Sequence, residues 1–171
     1  MHRAVISYPR MSEGAREGIA FIRDQYPMLE RDPVPPYFTL VSPNNQVEEG
    51  QMIAHVEHIA EHFSPIQFIL RCAIPVFDGE LTYVYLPPDE GFSKAVLLYN
   101  ALYTGLLEPY LRLDKPYIPR ITLGYTEDIR LAKEIADELN RGEFAIKGII
   151  DSLAIVGLQG GKIQTLAHFK L

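Results

Sequence analysis

The sequence lacks the residues that would cross-link a fold through sulfur. Its 171 residues include a single cysteine, Cys72. One cysteine excludes an intramolecular disulfide and a cluster of thiolate metal ligands. Because Cys72 lies in the apolar run ILRCAIPV, we expect a buried, unreactive thiol there.

Long apolar runs and an excess of positive charge are also missing. No stretch approaches the ~18 consecutive apolar residues that suggest a membrane-spanning helix, and the start, MHRAVISYPR, has no leader pattern. The formal net charge of −6 argues against binding of long nucleic acid, because basic surface supplies most of that affinity. A small anion held by one or two local cations is compatible with this composition. We therefore expect a cytoplasmic protein that makes no membrane contact.

Hydrophobic periodicity predicts one α+β domain covering residues 1–171. Apolar residues make up 47% of the chain, which is enough for a sizeable core. The patterns predict helices over 12–26, 50–63, 93–111 and 128–142, with Ile129 among the inward residues of the last one. They predict strands over 4–9, 37–41, 66–77, 81–86, 117–125, 144–158 and 163–171. The second half repeats the helix, strand, helix, hairpin order of the first, which predicts two pseudo-twofold lobes.

One short pattern occurs twice, as VPPYFTLV at 34–41 and as YIPRITLGY at 117–125. Side chains two apart on a strand point to the same face. Tyr37 therefore shares a face with Thr39, and Arg120 shares a face with Thr122, while the apolar residues between them point into the core. If the two lobes face each other, these four polar side chains line one cleft.

These two motifs resemble the signature of the two-histidine (2H) phosphoesterase superfamily, which includes 2'-5' RNA ligase-like proteins and cyclic phosphodiesterases. PPYFTLV is similar to a proline, histidine, apolar, threonine, leucine pattern, and IPRITLGY is similar to a second copy of it. The element order and the closing hairpin over 149–171 are similar as well. The resemblance implies two lobes of mostly antiparallel sheet, with outer helices, around a central cleft.

The resemblance also shows where this sequence departs from the family pattern. The family's two histidines act as general base and general acid on a phosphodiester, and its threonines bind the phosphate oxygens. Here Tyr37 and Arg120 stand at the histidine positions, while Thr39 and Thr122 remain. Tyrosine, with an ordinary pKa of ~10, is a poor base near neutral pH, and arginine does not exchange protons in practice. Arginine is, however, the side chain best suited to hold phosphate.

The resemblance therefore implies a degenerate phosphoesterase that binds a phosphorylated nucleotide or an RNA end through Tyr37, Thr39, Arg120 and Thr122, and it assigns no catalytic residue. One alternative is an active phosphoesterase in which Tyr37 is the acid and Arg120 stabilises the charged phosphorus centre. Another is a non-catalytic interaction module in which Tyr37 merely fills the cleft and Arg120 pairs with Glu90 or Asp114. The apolar helix over 93–111 is then a candidate homodimer seam.

Other polar residues give weaker indications. Arg71 lies in an apolar strand, where it needs a salt bridge or a place in the cleft. Tyr83 and Tyr85 share a strand face and are candidates for stacking a base, with Tyr83 as a possible cleft residue.

The histidines do not predict a catalytic or metal site. His55, His58 and His62 have helical spacing, but a solvated polar face explains them better than a metal site does. His168, on the last predicted strand, is a candidate to replace a missing histidine if it reaches the cleft from there. No cofactor and no metal are expected.

Overall fold

The computed structural model describes residues 1–171 and contains eleven strands, four α-helices and one 3₁₀-helix. The strands are β1 (His2–Ser7), β2 (Arg10–Met11), β3 (Phe38–Asn44), β4 (Ile66–Leu70), β5 (Ile74–Phe77), β6 (Thr82–Leu86), β7 (Pro88–Glu90), β8 (Ile121–Thr126), β9 (Ile146–Ile150), β10 (Ser152–Gln159) and β11 (Lys162–Lys170). The helices are α1 (Glu13–Gln25), α2 (Glu49–Ala60), α3 (Phe92–Leu102) and α4 (Ile129–Arg141), and the 3₁₀-helix covers Gly105–Tyr110.

All strand pairs are antiparallel, and the sheets form two lobes with a bridge between them. The first lobe has the strand order β11-β10-β1-β3, and the second has β5-β6-β8. The bridging sheet has the order β2-β9-β4-β7. Each strand of the bridging sheet is joined to a strand of one lobe by a link of only one to three residues. The linked pairs are β1 and β2, β9 and β10, β4 and β5, and β6 and β7. The α+β fold with two lobes is thus confirmed.

The two motif strands are edge strands of their lobes. β3 ends the first sheet and β8 ends the second. Phe38 and Leu40 of β3, and Ile121 and Leu123 of β8, are buried in one apolar core cluster, as the alternation predicts. The residues between them point the other way, so each edge strand offers its polar side chains to the space between the lobes.

The helices begin at residues that satisfy their free N–H groups. Ser12 accepts a hydrogen bond from the Ala15 N–H at the start of α1, and the Asp128 side chain accepts two from the first turn of α4. α2 packs on β10 and β11, while α4 packs on β5, β6 and β8. Each lobe therefore has its own covering helix. No helix of the structure is both long enough and apolar enough to cross a membrane.

Three predicted elements are divided in the structure. The predicted strand 66–77 splits into β4 and β5, and 144–158 splits into β9 and β10 at Asp151, because each crosses from the bridging sheet to a lobe. The predicted helix 93–111 ends at Leu102, and Gly105, the first residue of the 3₁₀-helix, adopts a positive φ of 50°.

Two burial predictions are wrong. Cys72 is exposed, because it lies in the gap between β4 and β5 where the chain leaves one sheet for another. Ile129 is 52% exposed, because it is the first residue of α4 and lies beyond the part of the helix that packs on the core.

A side chain of α4 fixes the backbone between β4 and β5 through two hydrogen bonds, which we call the Asn140 clasp. The Asn140 side chain accepts a hydrogen bond from the Ala73 N–H and donates one to the Ala73 carbonyl, both at 2.8 Å. Ala73 itself is buried. The clasp therefore satisfies backbone groups that no strand partner reaches.

We expect Asn140→Ala to lower the free energy of unfolding by about 1–3 kcal/mol, because it leaves both backbone groups of Ala73 without a partner. Chemical denaturation measures this change. Asp137→Ala on the same helix is the control, since it removes only an exposed pair with Lys133 and should cost no more than about 0.5 kcal/mol. Equal effects of the two substitutions would contradict the role of the clasp.

Candidate functional site

A cavity of about 920 Å³ lies between the lobes. Tyr37, Thr39, Arg120 and Thr122 all line it, so the structure brings the four motif side chains together. Its volume is near the upper end of the ~300–1,000 Å³ usual for ligand cavities.

Two side chains tie the lobes together across this cavity. The Tyr117 hydroxyl donates a hydrogen bond to the Thr39 carbonyl at 3.1 Å. Arg23 of α1 donates from Nη2 to the Thr122 carbonyl at 2.8 Å and from Nη1 to the Val34 carbonyl at 3.5 Å. Both motif threonines are therefore fixed through their backbone carbonyls, which leaves their hydroxyl groups available to the cavity.

Arg120 forms no salt bridge. Its Nη1 donates to the Ile118 carbonyl at 3.0 Å, and its guanidinium carbon lies 4.6 Å from the centroid of the Tyr85 ring. The predicted pairing with Glu90 or Asp114 is wrong, because Arg71 and Arg112 take those carboxylates. The Arg120 charge therefore faces the cavity without a protein anion to neutralise it.

Tyr37 is a neutral hydroxyl group. Burial, together with the nearby Asp32 carboxylate, raises its pKa to about 12. Its hydroxyl donates to Asp32 Oδ2 at 3.4 Å, and its ring meets Tyr8 edge-on with centroids 6.1 Å apart. Tyr37 thus cannot accept a proton near neutral pH, although it can donate a hydrogen bond.

Six of the ten tyrosines line the cavity: Tyr37, Tyr83, Tyr85, Tyr99, Tyr117 and Tyr125. The Tyr83 ring centroid lies 5.6 Å from those of Tyr85 and Tyr125. These three share one face because Tyr83 is paired with Tyr125 across β6 and β8. On another wall, Tyr99 and Tyr117 are stacked with centroids 3.8 Å apart. The cavity therefore has aromatic as well as polar walls.

The cavity is positive, although the chain as a whole is negative. Five cationic side chains line it, namely Arg23, Arg31, Arg112, Lys115 and Arg120, against three carboxylates, Asp32, Asp78 and Asp114. No histidine lines it. The suggestion that His168 replaces a missing histidine is wrong, because β11 forms the edge of its sheet opposite β3.

The other predicted residues lie as follows. Tyr83 lines the cavity, but Arg71 does not, so its suggested place in the cleft is wrong. Arg71, which directly follows β4, instead forms salt bridges with Asp89 at 2.5 Å and Glu90 at 4.0 Å, both in β7. These carboxylates hold the guanidinium at the surface of the bridging sheet.

One histidine of α2 and one in the turn after it contact backbone carbonyls. His55 Nε2 lies 2.8 Å from the Leu102 carbonyl oxygen, and His62 Nδ1 lies 2.7 Å from that of His58. No group of three or more histidine, cysteine, aspartate or glutamate side chains is arranged to hold a metal ion.

Arg23, Asp32 and Tyr117 are cavity residues that the sequence patterns did not single out. The sequence does indicate a special role for Arg23, because this residue lies four residues after Ile19 and three before Tyr26, on the buried stripe of α1. A cation on that stripe needs a polar partner, and the partners lie on the two motif segments. Asp32 and Tyr117 lie in loops, where hydrophobic periodicity does not indicate which way a side chain points.

Comparisons with known proteins agree on one fold. Residues 12–162 match the 2'-5' RNA ligase superfamily. TT0787 of Thermus thermophilus is similar over 100% of this chain and 98% of its own, with 16% identity and a TM-score of 0.69. LigT of E. coli in complex with 3'-AMP is similar over 100% of this chain and 99% of its own, with 13% identity and a TM-score of 0.61.

Usb1 of Kluyveromyces marxianus is similar over 96% of this chain and 97% of its own, with 11% identity and a TM-score of 0.54. No curated protein matches the sequence. At these identities the solved structures support the fold and not the activity.

We expect Arg23→Met to lower the free energy of unfolding by about 1–3 kcal/mol, because it removes the hydrogen bonds to Val34 and Thr122. Methionine keeps much of the apolar stem, so the change reports on the polar head. Arg16→Met, at an exposed position of the same helix, is the control and should change stability by less than about 0.5 kcal/mol. Equal denaturation midpoints for the two variants would contradict the bridging role of Arg23.

Proposed function

Because the chain belongs to the 2'-5' RNA ligase superfamily, we propose that it binds a phosphorylated nucleotide or RNA end in its cleft and has lost, or nearly lost, phosphodiesterase and ligase chemistry. The observation that carries the proposal is the pair Tyr37 and Arg120, which line the cavity at the two motif positions where the family signature has histidines. No histidine from another element lines the cavity beside them.

Arg120 is the proposed anion clamp. Its charge is not neutralised by a carboxylate, and its planar fork of donors fits two phosphate oxygens at once. The hydroxyls of Thr39 and Thr122 are the proposed donors to the remaining oxygens, and Tyr37, whose single O–H donates to Asp32, contributes its ring to the wall of the cleft. This set supplies a cation and two hydroxyl donors but no group that transfers a proton near neutral pH.

The loss of chemistry follows from the properties of the two replacing groups. Tyr37, with a pKa of about 12, holds its proton throughout the neutral range, and Arg120 holds its own at every physiological pH. One positioned acid or base contributes roughly 10²–10⁴-fold to a rate. Losing both lowers the rate by roughly 10⁴–10⁸-fold if the two losses are independent, and by less if the groups act as a unit.

The structural neighbours favour a ligand of nucleotide size. LigT has been crystallised with 3'-AMP and also with ATP. This chain shares the LigT fold over its whole length, and the cavity volume and its positive lining suit the same class of ligand. An interaction module that no longer uses its cleft does not need an unpaired cation there, so the lining favours ligand binding over that alternative.

We expect Arg120→Gln to weaken binding of 3'-phosphorylated and 2',3'-cyclic nucleotides by roughly 10- to 100-fold, because a charge-assisted hydrogen bond contributes about 1.5–3 kcal/mol. Isothermal titration calorimetry measures the affinities. Arg71→Gln is the matched control, since this arginine is paired outside the cleft, and it should bind as the unchanged protein does. A folded protein with no affinity for any of these nucleotides would remove the binding proposal.

The double substitution Tyr37→His with Arg120→His should introduce hydrolysis of 2',3'-cyclic nucleotides, because it supplies two groups with a pKa near ~6.5 on opposite lobes. The rate should have a bell-shaped dependence on pH, reflecting one acid and one base. Each single reversion is a control and should remain close to inactive.

Two outcomes would contradict this prediction. If the unchanged protein hydrolyses the same substrates as fast as the double variant, the chemistry has not been lost. If the double variant folds but remains inert, the cleft differs from that of an active enzyme in more than two side chains.

A further inference from the structure

An unpaired carboxylate, that of Asp32, lines the otherwise positive cavity. It forms no salt bridge, and its only side-chain partner is the Tyr37 hydroxyl, at 3.4 Å. A carboxylate has about four acceptor positions, so most of the hydrogen-bonding capacity of Asp32 is unused. If the cleft bound phosphate alone, an unneutralised negative charge in its wall would oppose the ligand.

The backbone fixes the place of Asp32 beside the tyrosines of the second lobe. Two hydrogen bonds join Glu30 and Tyr125, with N–O distances of 2.8 and 2.9 Å, and attach this loop to β8. Pro33, Pro35 and Pro36 follow and restrict the chain further. The loop therefore holds Asp32 at a defined position rather than at a free tip.

The Asp32 carboxylate and the tyrosines of the second lobe line the same cavity. Burial raises the pKa values of Tyr83 and Tyr125; among the nearby carboxylates Asp78 contributes most to the first shift and Glu30 to the second, and Asp32 adds to both. The pKa of Tyr37, on the other lobe, is raised by burial and then by Asp32. Asp32 thus lies between the lobes, in contact with Tyr37 and in the same cavity as Tyr83 and Tyr125.

A ligand that suits this corner is flat and carries N–H donors. Aromatic side chains stack with nucleobases, and a carboxylate only accepts hydrogen bonds. Guanine presents two adjacent donors, N1–H and the 2-amino group, which match the two oxygens of one carboxylate. In adenine, cytosine and uracil the corresponding edge places a donor beside an acceptor, which a carboxylate would face unfavourably.

We propose that Asp32 determines base specificity by accepting hydrogen bonds from N1–H and the 2-amino group of guanine, with the base against Tyr83 and Tyr125 and its phosphate at Arg120. The inference rests on the proposed function, because it assigns the base to the nucleotide bound in that cleft.

Calorimetric titration with the 3'-monophosphates of guanosine, inosine and uridine tests the inference. Inosine lacks only the 2-amino group. We expect guanosine 3'-monophosphate to bind about 5- to 10-fold more tightly than the other two, the low end of bidentate base discrimination, because Asp32 is exposed. Asp32→Asn should abolish this preference while the uridine nucleotide binds as well as before or better, since a repulsive charge is gone.

Asp24→Asn is the control of equal charge change, because Asp24 pairs with Arg31 and does not line the cavity. It should keep the preference for guanine. Equal binding of the three nucleotides, or a preference that survives Asp32→Asn, would overturn the inference and leave the proposed function standing. Absence of binding by all three would overturn both.

Discussion

The cleft depends on side-chain hydrogen bonds that join the two motif segments and end on the backbone of the motif threonines. Tyr117 holds the Thr39 carbonyl, and Arg23 holds the Thr122 carbonyl. Because β3 and β8 are edge strands, each has carbonyls that no neighbouring strand satisfies. The side chains that donate to these carbonyls also fix the distance between the two edge strands. The width of the cavity therefore depends on these hydrogen bonds.

The same geometry explains why cations accumulate between the lobes. Arg23 donates to the Thr122 carbonyl of the edge strand β8, and Arg120 donates to the Ile118 carbonyl just before that strand, so both keep their charge beside the cavity. Partial burial is costly for such a charge, and it lowers the pKa of Arg23. Because Asp32 contacts a hydroxyl group and forms no salt bridge, its negative charge stays in the cavity wall apart from the positive charge of Arg120. A ligand with an anionic end and a donor-bearing end fits that division better than a simple anion.

The sequence was most informative where local periodicity and long-range structure agree. The duplicated motif predicted which residues of β3 and β8 are buried, because strand alternation determines them, and, given two facing lobes, it predicted which four side chains meet. It could not show that one predicted strand becomes β4 and β5. That break depends on Asn140, 67 residues away, whose clasp on Ala73 exists only in the folded chain. Asp32 was missed for the same reason, since its position comes from the pairing of Glu30 with Tyr125.

Under the proposed function, the replacement of two histidines changes what the cleft stabilises. A group that transfers a proton assists the attacking or the leaving oxygen in the transition state, whereas a fixed cation stabilises the phosphate charge without moving a proton. Arg120 therefore holds the phosphate but takes part in neither proton transfer, and Tyr37, with its pKa of about 12, keeps its proton. A phosphodiester or a phosphate end held by this set gains affinity, while the two proton transfers of its hydrolysis remain uncatalysed. A site that only binds a nucleotide needs the phosphate-binding threonines but not the acid and base. Retention of the two threonines and loss of the two histidines therefore agree with the same function.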